Sequence, residues 1–356
     1  MPAAAGAEVP SPCRAGDPEI VEAMPAADAE RWARARSFHH SVFTTERIAR
    51  ERRHSVSVCL PARECAGTVG EIVAALSALR ERGAIDEIVV VDAASADGTA
   101  RVAERAGARV LQQDELTPEL GPALGKGDAM WRSLAQLEGE LVCFLDADTE
   151  RFSAHFATGL LGPLVCEPGV SFVKGFYRRP LDGGGEGAGA GGPAVGGEAT
   201  GAGGPAGGGE SPGAGAPAGG AGPAGAAGEG GGRVNHLMAR PALALFYPEL
   251  AGVRQPLAGE VSARRELLER LPFATGYGVE IAMLIDAWSE LGLEGIAQVD
   301  LEEHRNRHQP LSALAPMAAT VLATITRRLS EEGRLHGVEH GDAPLERPPL
   351  ASVALS

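Results

Sequence analysis

The sequence predicts a doubly wound α/β protein built on a Rossmann-like, mostly parallel sheet. Three observations predict it. Apolar runs and helix-period segments alternate from residue 55 onward, the pattern that lays helices on both faces of a parallel sheet. The stretch at residues 141–148, Leu-Val-Cys-Phe-Leu-Asp-Ala-Asp, is continuously apolar until it ends on two acids, as a strand buried on both faces requires. A second run at 87–92 also ends on an acid, Asp92, and a helix start follows near Asp97-Gly98-Thr99.

Length and charge bound the rest. The 356 residues suffice for one large or two ordinary domains with a sizeable core. A net charge of -15 argues against nucleic acid or an anionic membrane as the main partner. The five cysteines, Cys13, Cys59, Cys65, Cys143 and Cys166, form no CxxC pair, and Cys59 and Cys143 sit in apolar runs. They read as small buried hydrophobes in a reducing compartment. No apolar span approaches ~20 residues, so a soluble cytoplasmic protein without a leader is expected.

The elements follow in order. Residues 1–27, rich in Ala, Pro and acids, are expected to be disordered. An arm with a helix occupies 28–53 around Trp32, Phe38 and Phe43, packed on the core or on a second subunit. A strand at 55–60 runs into Pro61, and a helix at 68–81 lines up Val69, Ile72, Val73, Leu76 and Leu79 on one face. A short strand at 109–111 and a helix at 127–137 lead into the central run, and a helix at 154–165 and a strand at 170–176 follow it.

Residues 182–230 are almost wholly Gly, Ala, Pro and Glu. They cannot bury enough apolar area to offset about 1–2 kcal/mol of ordering entropy per residue, which predicts a mobile surface insertion. Its ends should lie close together, since Arg178-Arg179 before it and Gly232-Arg233 after it both look anion-binding. Helices at 234–247, 264–271 and 279–291, a strand at 296–301 and a helix at 311–329 complete the chain. The last helix repeats Leu314, Met317, Val321, Leu322 and Ile325, and from residue 330 a frayed tail is expected.

Chemistry concentrates at the end of the central run. Side chains two apart on a strand share a side, and open parallel sheets bind ligands beyond the carboxyl ends of their strands. Asp146 and Asp148 can therefore grip one hard cation that bridges to a diphosphate; the plainer reading is a loop closure that caps the next helix. No GxGxxG follows the first strand, which weakens a dinucleotide reading. Residues 121–127, Gly-Pro-Ala-Leu-Gly-Lys-Gly, have the wrong glycine spacing for a P-loop and lack its Ser/Thr, so a Walker NTPase is rejected. Lys126 between two glycines can still contact a phosphate, because the glycines let backbone approach an anion; the alternative is a solvated turn lysine.

Taken together, these segments resemble the actinobacterial-type glucosyl-3-phosphoglycerate synthases, retaining glycosyltransferases of the GT-A fold. The matching residues are Val58-Cys59-Leu60-Pro61-Ala62, Val91-Asp92 with Ser95, Gly125-Lys126-Gly127 with Trp131-Arg132-Ser133-Leu134, and Asp146-Ala147-Asp148. They continue with Val173 to Pro180, Gly231-Gly232-Arg233-Val234, Gln255-Pro256-Leu257 with Gly259-Glu260, Gly276 to Glu280, and His304-Arg305-Asn306-Arg307. The similarity covers about residues 55–329.

The resemblance implies transfer of glucose from UDP-glucose to the 2-hydroxyl of 3-phosphoglycerate with retention, by a cytoplasmic homodimer using Mg2+ or Mn2+. It implies that Asp146, Asp148 and His304 hold the metal, and that Pro61, Ala62, Arg63, Ser95 and Lys126 line the UDP site. Gly232, Arg233, Asn235, Tyr277 and Asn306 are implied at the acceptor. On the same basis residues 55–180 form the nucleotide-sugar half and 232–330 the acceptor half, flanked by the 1–54 segment, the 181–231 insertion and the 331–356 tail. Two departures stand out. Arg63 is followed by Glu64-Cys65-Ala66 where the family has Asn-Glu-Glu, which makes Glu64 the uridine-contacting acid displaced by one position. Asn235 stands where the family has threonine after Gly-Arg-Val.

In chemical terms, Asp148 and Asp146 suit magnesium or manganese, and the imidazole of His304 suits manganese. Arg233 is the natural bidentate phosphate contact. Retention leaves two routes: a glycosyl adduct on Glu260 or Glu280, or front-face attack in which Glu280 orients a sugar hydroxyl. The front-face route is preferred, with Asp148, Glu280 and Lys126 as the catalytic set. The alternatives are a transferase using another donor such as GDP-mannose, or another acceptor, and a non-catalytic nucleotide-sugar-binding protein.

Overall fold

A computed structural model describes residues 26–179, 232–305, 311–337 and 344–354. The expected disorder of 1–27 and mobility of 182–230 lie almost wholly outside these residues, as does Asn306.

Ten strands are described: β1 (Ser37–His39), β2 (Val56–Ala62), β3 (Glu87–Asp92), β4 (Arg109–Gln112), β5 (Leu141–Phe144), β6 (Phe172–Arg178), β7 (Val261–Arg264), β8 (Phe273–Ala274), β9 (Ile296–Glu303) and β10 (Glu346–Arg347). Eight form one sheet in the order β1-β9-β6-β7-β5-β2-β3-β4. Within it β7 alone runs antiparallel, to β5 on one side and β6 on the other. The reversal was hidden in the sequence because Val-Ser-Ala-Arg alternates over only four residues, a short signal directly before a helix. The expected helix at 264–271 starts only after it.

The helices are α1 (Ala26–Ala35), α2 (Thr45–Glu51), α3 (Val69–Glu81), α4 (Thr99–Ala106), α5 (Lys126–Leu134), α6 (His155–Cys166), α7 (Arg240–Phe246), α8 (Arg265–Arg270), α9 (Val279–Leu291) and α10 (Leu311–Glu331). The expected helix at 234–247 is present over residues 233–246, with a π-helical stretch at Asn235–Ala239 that continues into α7.

Strand pleating divides the core in two. Val58 and Leu60 of β2 face one side with α3 and α6, whereas Cys59, Val142 and Phe144 face the other with α5 and α9. All five apolar positions assigned to the α3 face are buried, each contributing about 1.5–3 kcal/mol if fully removed from water. In α10 Val321 and Ile325 are buried, but Leu322 is 44% exposed and falls off the apolar face.

The first and last described segments are tied to this body. Strand β1 adds to the edge beside β9 in parallel, and Trp32 and Phe43 are buried in the chain's own core. The C-terminal segment is not a frayed tail throughout: β10 pairs with β8, and Trp131 Nε1 donates to Pro348 O at 2.7 Å. Arg347 Nε donates to Asp128 Oδ1 at 2.6 Å, and Asp128 also pairs with the buried Arg132 at 2.9 Å. These contacts anchor α5, the helix that begins with Lys126.

Candidate active site at the carboxyl edge of the sheet

The ends of β2, β3 and β5 and the start of α5 enclose a cavity of about 690 Å³, lined by Pro61, Ala62, Arg63, Lys126, Asp146 and Asp148 among others. This is the edge where an open parallel sheet binds ligands. Strand β5 ends at Phe144, so the two aspartates lie in the loop beyond it, and both line this cavity. Asp146 turns inward while Asp148 stays exposed at the rim. Loss of solvation and the neighbouring Asp146 carboxylate push the Asp148 carboxyl above its ordinary range.

Lys126 is not a free turn lysine. Its Nζ donates to Asp146 Oδ1 at 2.6 Å and to Glu280 Oε1 at 3.0 Å. Burial disfavours its charge, but the two carboxylates outweigh that and raise its pKa well above the usual lysine range. Gly259 makes this pairing possible: a Cβ there would stand 2.6 Å from both Lys126 Nζ and Asp146 Oδ2.

Behind the pair lies a residue missing from the expected metal set, Glu260. Asp146, Glu260 and His304 each present a ligand atom, all within 4.8 Å of one another. His304 Nε2 lies 2.8 Å from Glu260 Oε1 and 3.1 Å from Thr149 Oγ1. The Glu260 contact is out of hydrogen-bond alignment, and both Glu260 oxygens and His304 Nδ1 are buried without a hydrogen bond. Burial alone would raise the Glu260 carboxyl; His304, Lys126 and Arg179 reverse this and hold it at about 2. Carboxylates with an imidazole suit Mn2+, and orphaned buried polar atoms are what such an ion would satisfy, so the residues present fit a divalent metal. Glu260 reaches this edge because it precedes the antiparallel β7, a placement visible in the sequence only as the Gly-Glu pair.

The other expected contacts divide. Ser95 Oγ accepts from Glu64 N at 2.9 Å, and Glu64 Oε1 accepts from Ala96 N at 2.9 Å. Glu64 thus straps one loop to the next, with φ 55° in the left-handed region. Tyr277 is exposed and lines the large cavity. Asn235 is buried and braces the chain ahead of β7, with Nδ2 3.4 Å from Arg254 O and Oδ1 3.5 Å from Leu257 N.

A second cavity of about 400 Å³ is lined by Arg178, Arg179, Arg240 and Arg254 together with Tyr177 and Asn235, and, among the described residues, by a single acid, Asp300. Residues on either side of the insertion, Arg178-Arg179 and Asn235-His236, thus line one cavity, whereas Gly232 and Arg233 are not in its lining. Tyr177 links the cavities: its ring stacks on His304 with centroids 4.4 Å apart, and its hydroxyl accepts from Arg179 at 3.0 Å.

Residues 57–163 match the family model described as Glycosyl transferase family 2. The chain is 39% identical over 300 residues to the glucosyl-3-phosphoglycerate synthase of Mycolicibacterium paratuberculosis, covering 84% of this chain and 80% of the relative. The crystal structure of mannosyl-3-phosphoglycerate synthase from Rubrobacter xylanophilus aligns with TM-score 0.73 and 40% identity over 92% of this chain and 98% of its own. The Mycobacterium tuberculosis glucosyl-3-phosphoglycerate synthase, solved with Mn2+, UDP-glucose and phosphoglyceric acid, aligns with TM-score 0.66 and 35% identity over 86% of this chain and 94% of its own. The sheet, the crevice at its carboxyl edge and these relationships agree: the chain belongs to the glucosyl-3-phosphoglycerate synthase family and has the GT-A fold.

Proposed function

We propose that the protein transfers glucose from UDP-glucose to the 2-hydroxyl of 3-phosphoglycerate, with retention, using Mn2+ or Mg2+. The observation that carries this reading is the meeting of Asp146, Glu260 and His304 beside Lys126 at the large cavity. A bound divalent ion supplies Lewis-acid stabilisation of the departing diphosphate. Lys126, held protonated, adds a second positive charge on the same side, fixed in place before the reaction begins. The basic cavity suits an acceptor with a carboxylate and a phosphate, since its four arginines offer forked donors. Arg233 and Asn306 belong to the same acceptor reading.

Retention by front-face attack agrees with where the glutamates stand. Glu260 is 1% exposed and faces His304, and Glu280 is paired with Lys126, so neither presents a free carboxylate to a sugar. The acceptor oxygen bonds to the anomeric carbon as the bond to the phosphate oxygen breaks, and the hydroxyl proton passes to that phosphate. Purified protein with Mn2+ and 3-phosphoglycerate should release UDP from UDP-glucose and give an α-linked product by NMR. A β-linked product, or no UDP release by folded protein, would overturn the reading.

GDP-mannose as donor is the second reading, favoured by the match to the Rubrobacter mannosyl enzyme. Faster GDP than UDP release in the same assay would select it. A homodimer is part of the first reading, and light scattering tests it.

A further inference from the structure

We propose that His39, His40 and Glu302 form a second divalent-metal site, separate from the crevice, that takes Zn2+ or a similar borderline transition ion and clamps β1 to the end of β9. The three side chains converge on one point: ligand atoms from each lie within 4.8 Å of one another. His39 Nε2 is 3.5 Å and His40 Nε2 3.2 Å from the same oxygen, Glu302 Oε1. Ligands bound to zinc at 2.0–2.1 Å in a tetrahedron stand about 3.3 Å apart, so both separations are already those of a metal-bound set. They are long for a strong charge-assisted hydrogen bond, and the buried His40 Nε2 has no hydrogen-bond partner.

The surroundings suit an ion better than a plain ion pair. His39 Nδ1 lies 2.7 Å from Ser41 Oγ and accepts from Ser41 N at 3.3 Å, contacts that hold the ring in place with Nε2 turned toward Glu302. His40 is held from behind by the His155 ring, with centroids 4.1 Å apart, and His155 itself is engaged through Nε2 with Leu301 O at 3.1 Å. Glu302 sits at φ 65°, and its N–H donates to Asp300 Oδ1 at 2.9 Å. Two imidazoles and one carboxylate make a donor set for Zn2+, Co2+ or Ni2+ more than for Mg2+. His39 and Glu302 are about half exposed, which leaves solvent to complete the coordination and gives the ion a way in.

The location gives the site a consequence. Strand β1 joins β9 through three residue pairs, Ser37 with Gln298, Phe38 with Val299 and His39 with Asp300. An ion at His39, His40 and Glu302 cross-links that short edge strand to the chain two residues before His304.

The test is Zn2+ and Co2+ titration of the full chain and of three variants, His39→Gln, His40→Gln and Glu302→Gln, read by calorimetry and by Co2+ visible absorption. A His304→Gln variant reports the crevice site separately. The wild type should bind one more Zn2+ than each of the three variants, and His304→Gln should keep that ion. Zn2+ should also raise the melting temperature of the wild type but not of His39→Gln, whose exposed side chain can change without disturbing the core. Equal stoichiometry in the wild type and in folded His39→Gln and Glu302→Gln would overturn the proposal, as would loss of the ion in His304→Gln alone.

Discussion

Lys126 Nζ lies 2.6 Å from Asp146 Oδ1, and the only residue that fits against this pair without a clash is the glycine at 259. A methyl group there must displace either the ammonium or the carboxylate. Gly259→Ala should therefore lower kcat/KM by about 100-fold, the scale of a misplacement of about 1 Å in a reacting site. The folded state should survive, since the flexible end of Lys126 can move aside. Steady-state kinetics alongside thermal melting decide it; a variant within twofold of wild type would mean the pair has no bearing on turnover.

Glu260 tests the metal assignment. Glu260→Gln keeps the shape but removes a negative charge from the trio with Asp146 and His304. Its affinity for Mn2+ should fall by at least the 10- to 100-fold seen for lost partners of metal ligands. Titration of Mn2+ by electron paramagnetic resonance measures this directly, and an unchanged dissociation constant would remove Glu260 from the site.

Lys174 gives a pH signature. It is buried, its Nζ donates to Ala258 O at 2.5 Å, and burial lowers its pKa from 10.5 to about 8. Between pH 8 and 10.5 the unfolded chain holds this proton and the native chain has released it, so stability rises with pH across that window. Below pH 8 both states are protonated and this contribution is flat. Urea denaturation should show the rising limb in wild type and lose it in Lys174→Met; identical slopes would contradict the assignment.

Arg347 anchors the C-terminal segment through Asp128 and carbonyls that include Leu120 O, 2.9 Å from Nη1. Arg347→Ala leaves the buried Asp128 with one cationic partner where it had two. The expected loss is about 1–3 kcal/mol of stability, read as a lower urea midpoint at unchanged slope. A change within error would mean that β10 is dispensable.

The parts of this protein that were legible in the sequence are those where one local signal dominates. Strand β3 and helix α9 appear at their expected limits because an apolar run and a 3.6-residue period leave little choice. Lys126 and Asp146 were recognisable from residue type and order and His304 from the family resemblance; Lys126 pairs with Asp146, and Asp146 and His304 lie within ligand reach of each other. What could not be read depends on contacts between distant segments. Strand β7 owes its existence to β5 and β6 on either side, β10 forms because β8 offers an edge, and Glu64 is tied to Ser95 and Ala96 in a loop that follows the next strand. Asp146 and Asp148 lie just past the last ladder pairs of β5, at Phe144, yet both line the one cavity.

The reversed direction of β7 has an architectural corollary. Because this strand begins at the same edge where its neighbour β5 finishes, the donor crevice is assembled from the entrance of one strand and the exits of others. The first 180 residues expressed by themselves would carry the nucleotide walls and both aspartates, yet would lack Glu260, Glu280 and His304. On the proposed function neither fragment alone would be chemically competent, and reconstitution would require both to dock.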